Sequence, residues 1–229
     1  NHLFYEFNKN LFVKNFDDSE INFQIQKTSN DTYLKSNKIE SELINDNDLL
    51  ENSINLDLYS NNLSINFGTA VYEDLNKENN DRYEYVLPKL LITKNFENFD
   101  YLNGNLSFET DNLITQYDTN VVEKRNVNNL IFNSNSKINR LGILNSYEFL
   151  LRNTNSENKN TSYKNSKNFY MSGIYQHNSI LPLMKEGKFY QKVLKPRISL
   201  RAAPRHSKDE KNVERKVDIT NIYSLDRVT

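Results

Sequence analysis

Apolar and polar side chains alternate along this chain in several separate stretches, each bounded by clusters of Asn, Asp, Ser or Lys. Residues 20–26 set Ile21, Phe23 and Ile25 against Glu20, Asn22, Gln24 and Gln26. Successive side chains of a strand point to opposite faces, so such a stretch has one apolar and one polar face. The beat returns with Ile54, Leu56 and Leu58 against Asn55 and Asp57, and with Leu63, Ile65 and Phe67 against Ser64 and Asn66. It returns again with Leu102, Leu106 and Phe108 against Asn103, Asn105 and Ser107, and with Tyr147, Phe149 and Leu151 against Ser146, Glu148 and Arg152. The pattern predicts strands over 3–14, 20–28, 53–60, 62–75, 81–94, 101–110, 113–122, 126–134, 141–154, 168–178, 189–203 and 216–225. Polar turns at 15–19, 76–80 and 95–100 and longer charged loops at 30–52, 155–166 and 205–216 join them. The nearest thing to a helix is a single turn over 48–52, and no fixed-period repeat is present. The fold class expected is all-β, built of antiparallel up-and-down strands.

Composition narrows what such a sheet can be. Hydrophobic residues make up 37% of 229 residues and mean hydropathy is -0.78, which is thin for a soluble globule of this length. The 14 Tyr and 13 Phe argue against plain disorder, because disordered chains are depleted in aromatic residues. The formal net charge of -1, with basic residues scattered along the chain, gives no field that would recruit nucleic acid. With no cysteine there is neither a disulfide framework nor a thiolate metal site. No apolar run approaches the length of a spanning helix, and no signal-peptide pattern opens the chain. The abundance of asparagine and lysine reads first as solvated turns. A start at Asn1 and His2, without methionine and with strand-like sequence from Leu3, leads us to expect a fragment of a longer protein.

An alternating sheet can rest one face on a protein core and the other in water, as in a soluble sandwich. It can also face lipid on one side and a wet lumen on the other. Membrane barrel strands run about 9 to 11 residues with aromatic girdles at both interfaces. The stretches 81–94 and 141–154 suit that length, and Tyr83, Tyr85, Tyr101, Tyr117, Tyr147, Tyr170 and Tyr175 fall near predicted strand ends. Pattern alone leaves both environments open.

Three words in the sequence add a family resemblance. They are Ser29-Asn30-Asp31-Thr32-Tyr33-Leu34, then Asp81-Arg82-Tyr83-Glu84-Tyr85-Val86-Leu87-Pro88-Lys89-Leu90, and then Leu194-Lys195-Pro196-Arg197-Ile198-Ser199-Leu200, closing at Ile222-Tyr223-Ser224-Leu225-Asp226-Arg227. In this order the chain resembles the LptD (OstA) family, the outer-membrane lipopolysaccharide-assembly protein, across nearly its whole length. The resemblance implies that residues 1–229 are a middle piece of a large transmembrane β-barrel, with the family's jellyroll, terminal strands and lateral gate outside it. It implies transport rather than catalysis and location in the cell outer membrane. It further implies lipopolysaccharide as cargo, an LptE-like plug lipoprotein and an LptA-like periplasmic bridge protein as partners, and no cofactor.

On that reading Arg82, Glu84, Glu148, Arg152, Arg197 and Arg201 are candidates to face the lumen, together with Asn22, Gln24, Asn55, Asp57, Asn103, Asn105, Ser107 and Ser199. Ile21, Phe23, Ile25, Tyr147, Phe149 and Leu151 are candidates to face lipid. Arg197 and Arg201 share a face, a spacing that suits bidentate contact with phosphate, although pairing with a wall carboxylate is the simpler expectation. Pro88, Pro182, Pro196 and Pro204 lack a ladder donor and are expected at bulges or strand ends. His2, His177 and His206 show no metal-ligand spacing and no nucleophile at their side, so an enzyme is not expected and no metal site is assigned. Two other readings fit the pattern: a porin or receptor barrel of another family, and a soluble or cell-surface β-rich interaction module. An open piece of barrel has unpaired edges, so the isolated 229 residues are not expected to fold stably alone.

Overall fold

The computed structural model describes residues 1–38, 48–99, 103–118, 120–161, 167–188 and 190–204. Thirteen strands are present among them: β1 (His2–Asn10), β2 (Asp18–Thr28), β3 (Leu49–Ser60), β4 (Leu63–Asp74), β5 (Tyr83–Phe99), β6 (Gly104–Tyr117), β7 (Val121–Ser134), β8 (Lys137–Ile138), β9 (Leu144–Lys159), β10 (Lys167–Ile180), β11 (Leu183–Glu186), β12 (Gln191–Leu194) and β13 (Arg197–Ala202). A five-residue helix, α1 (Tyr33–Asn37), and a 3-10 turn at Asn79–Arg82 complete the set. An 11-stranded antiparallel sheet runs in the order β1-β2-β3-β4-β5-β6-β7-β9-β10-β13, with β8 beside β9, while β11 and β12 form a separate hairpin. This is the up-and-down all-β architecture that the alternation predicts. Among the described residues nothing pairs β1 with β13, so the sheet is open rather than closed into a barrel.

The chain divides into two compact units. The first comprises Asn1–Lys94, Thr110–Val127 and Thr154–Phe169. Within it the registers carry the alternation from strand to strand. Ile21 of β2 faces Leu56 of β3, which faces Phe67 of β4, which faces Leu90 of β5. Leu58, Ile65 and Ile92 make the next row, and Phe7, Phe23 and Ile54 another. The opposite face carries Asn8, Asn22 and Asn55 in one row and Glu20, Asp57 and Asn66 in another. Its side chains bond to one another: Asn22 Nδ2 donates to Glu6 Oε1 at 3.1 Å, and Asn66 Nδ2 to Asp57 Oδ1 at 2.6 Å. Gly68 lies beside Asn55, whose Oδ1 would sit 2.7 Å from any added Cβ. The apolar core of this unit is small: Leu34, Leu50 and Leu75, with Phe4 and Tyr33 against them.

The second unit comprises Asn95–Glu109, Asn128–Asn153 and the described part of Tyr170–Thr229. Here β10 and β13 pair from Ile180↔Arg197 to Tyr175↔Ala202. Gly104 opens β6 so close to β7 that a Cβ would meet Asn133 O at 2.5 Å, which only glycine tolerates.

Several sequence expectations need correction. Residues 48–52 are not a helical turn but the start of β3, and the helix lies instead at 33–37, where Leu34 is buried against Leu50. The expected turn at 95–100 is strand as far as Phe99. The two strands expected over 101–110 and 113–122 are joined in β6, because Asn112 at its centre donates to the Thr110 hydroxyl and accepts from the Asn126 amide instead of breaking the ladder. Asp118 and Asn120, between β6 and β7, take positive φ. Residues 141–143 form a turn held by Asn139 Oδ1, which accepts from the amides of Leu141 and Ile143, and β9 continues to Lys159 through the expected loop. The strand expected over 189–203 is broken at Pro196, which has no N–H to give the ladder. Pro182 and Pro204 likewise mark ends, and Pro88 sits where the β4–β5 register shifts. Tyr170 and Tyr175 lie within β10 rather than at its ends. The expected strand at 216–225, the closing word at 222–227, Tyr101, Leu102 and His206 lie outside the described residues.

Candidate functional site: a buried polar network on β9, β10 and β13

In β10 the usual partition is inverted. Tyr170, Ser172, Ile174, Gln176 and Asn178 are buried along one face, while Phe169, Met171 and Tyr175 on the other are exposed. Gln176 and Asn178 retain 1% and 2% of their exposure, whereas Ile198 and Leu200 on β13 retain 68% and 67%. Burying an amide costs free energy unless it is hydrogen-bonded, and these are. Asn178 Oδ1 accepts from Arg197 Nη2 at 2.9 Å, Ser199 Oγ at 2.6 Å and Gln176 Nε2 at 3.1 Å, and Asn178 Nδ2 donates to Glu148 Oε1 at 2.9 Å. Gln176 Oε1 accepts from both Nε and Nη2 of Arg201, at 3.0 and 2.6 Å. On the same unit Arg152 Nε donates to Asn129 Oδ1 at 2.8 Å.

The network therefore gathers Glu148, Arg197, Ser199 and Arg201, which the sequence marks as one polar set, and adds Gln176 and Asn178, which it does not. Their signal was available in the alternation of Ser172, Ile174, Gln176 and Asn178 along a single strand, but it is masked by the aromatic residues between them. Arg82 belongs to the first unit. It closes the 3-10 turn and forks between Glu73 Oε1 at 2.7 Å and Asp31 Oδ1 at 2.6 Å. These carboxylates hold the guanidinium above its ordinary pKa, and Arg82 in turn holds the Asp31 carboxyl below its own. Glu84 lies on β5 opposite Tyr72, exposed. Ile21, Phe23 and Ile25 share the apolar face of β2, half-buried, while Tyr147 and Phe149 are exposed on β9 beside a half-buried Leu151.

A second feature belongs to the first unit, an open cavity of about 530 Å³. Pro88, Leu90 and Ile114 give it apolar walls, and Asn112, Asn126 and Asn155 line it with a row of bonded amides. Glu157 lies between Lys124 and Lys167, at 3.6 and 3.4 Å.

Chemically, the network can hold and orient polar groups. Among the described residues Ser179 lies beside a histidine, with Oγ 3.2 Å from His177 Nε2. The same hydroxyl donates to Asn145 Oδ1 at 2.8 Å. Among the described residues no cluster of His and carboxylates could hold a metal ion, and no helix is long and apolar enough to cross a membrane. No protein-family model matches the chain, and no curated protein matches it.

Proposed function

We propose that this chain is a section of the wall of an outer-membrane β-barrel, in the translocon that delivers lipopolysaccharide to the outer leaflet. The carrying observation is the inverted partition of β10 and β13: a polar face is buried on β10 and half-buried on β13, while an apolar face is left open. A soluble sheet gains stability by the opposite arrangement. A sheet with lipid on one side needs apolar side chains outward and can keep its polar groups within, provided each backbone group is paired along the ladder. The three sequence words that resemble the LptD (OstA) family supply the specific reading. In it the polar face lines a passage wide enough for a charged sugar head, and LptE-like and LptA-like proteins are the partners. The chain acts by passage, with no chemistry of its own.

The test is single-cysteine labelling at consecutive positions from Asn145 to Asn153 in the full-length protein reconstituted in bilayers. Accessibility to a lipid-soluble quencher is expected to alternate, high at Tyr147, Phe149 and Leu151 and low at Glu148 and Arg152. Shielding of the first three from lipid and water alike would mean that a protein core covers them, and the wall reading would fall.

A further inference from the structure

The hairpin of β11 and β12 stands outside the main sheet and is exposed on all eight of its strand residues. Its neck is closed by the bond from Leu181 N to Pro196 O at 3.0 Å, so it continues from the end of the β10–β13 pair. Its tip is closed by Gly187 N to Tyr190 O at 2.8 Å. Register sorts its side chains by height. Nearest the sheet are Leu183↔Leu194 and Met184↔Val193, and farther out are Lys185↔Lys192 and Glu186↔Gln191. The apolar level is open on both faces, with Met184 61% and Leu194 65% exposed. The polar level and the tip are cationic: Lys185, Lys192 and Lys188 stand against Glu186 alone, and Lys195 lies at the neck. Lys192 Nζ lies 5.1 Å from the centre of the Tyr190 ring.

Lysines by themselves would suit any polyanion, and exposed aliphatic side chains any apolar partner. Both together, stacked in height on one hairpin, fit a medium that is apolar at one level and anionic a few ångströms further out. We propose that the β11–β12 hairpin seats in the headgroup layer of an anionic membrane. Leu183, Met184, Val193 and Leu194 meet the acyl boundary, Tyr190 anchors in the interface, and the lysines meet lipid phosphates. The inference does not depend on the polar face lining a passage.

The chain contains no tryptophan, so Tyr190→Trp places a reporter at the tip. The full-length variant is read in vesicles of phosphatidylcholine alone and of phosphatidylcholine with phosphatidylglycerol, with the unsubstituted protein as background. Headgroup-level spin-labelled lipid is expected to quench the reporter about twofold more in the anionic vesicles, with the difference fading in high salt. Replacing the four lysines by glutamine should abolish that difference, and replacing them by arginine should preserve it, which separates charge from misfolding. The proposal is overturned by a reporter open to aqueous acrylamide in both vesicles, by one shielded from water and lipid alike, or by equal quenching in the two compositions. Should the protein prove soluble, the same reading applies to protein added to preformed vesicles, so the hairpin and the wall stand or fall separately.

Discussion

Asn178 shows how a short neutral side chain can organise charged ones. Its carbonyl oxygen collects three donors and its amide nitrogen serves Glu148, so two strands, β9 and β13, are tied through one residue of β10. Substitution Asn178→Ala takes an acceptor from Arg197 and Ser199 and a donor from Glu148 in one step. Removing one partner from a buried polar group costs about 1–3 kcal/mol, and we expect a loss in that range from the urea unfolding midpoint of the full-length protein in micelles. Asn129→Ala, which removes a single bond from Arg152, should cost less. The sequence shows Arg197 and Arg201 as a matched pair, but not that amides rather than carboxylates would be seen against them. That choice depends on which strand becomes the neighbour of β13, and the partner, β10, lies beyond a whole hairpin in the chain.

At the scale of elements, alternation located most strands and failed where polar residues on both faces were satisfied sideways. β6 and β9 each run on through asparagines that read as breakers. The composition reading of asparagine as turn material is half the account. Asn15, Asn79, Asn103, Asn120 and Asn160 do take positive φ at turns, where a short polar side chain tolerates the left-handed region. Asn112, Asn126 and Asn155 instead bridge three neighbouring strands. The segment after β2 was legible only as a charged loop, since one buried leucine in a five-residue helix leaves no period to detect. That loop is fastened by Arg82 to Asp31. Because Arg82 lowers the Asp31 pKa from its ordinary value of 3.8, the contribution is present above that value and is lost as pH falls through the folded-state pKa. Acidification below about pH 4 should therefore expose the loop to protease sooner than it unfolds the sheet. In Arg82→Gln the loop should already be cleaved at neutral pH, with a weaker acid dependence, as gel analysis of limited digestion would show.

At the scale of the whole molecule, exposed apolar faces beside a small core leave apolar surface that the described residues do not themselves cover. The alternation made the two faces legible, but neither face names its medium, which is why fold class was readable and environment was not. The lysine-bearing hairpin was hidden for a related reason: as sequence it merges into the strand that follows Pro196.

The row of asparagines across β6, β7 and β9 has a consequence for fidelity of assembly. Along Glu123, Lys124, Arg125 and Asn126 both faces of β7 are polar, so within that stretch misplaced apolar side chains do not oppose a slide by one residue. The amides meet from Asn112 to Asn126 to Asn155, and a slide by one residue would oppose unlike side chains. The row works as a vernier, fixing the alignment where hydrophobicity gives no reading. Asn126→Val should thus leave the amount of folded protein nearly unchanged and yet divide its population, seen as doubled amide resonances for β7; a single set of peaks would show that the alignment is fixed elsewhere.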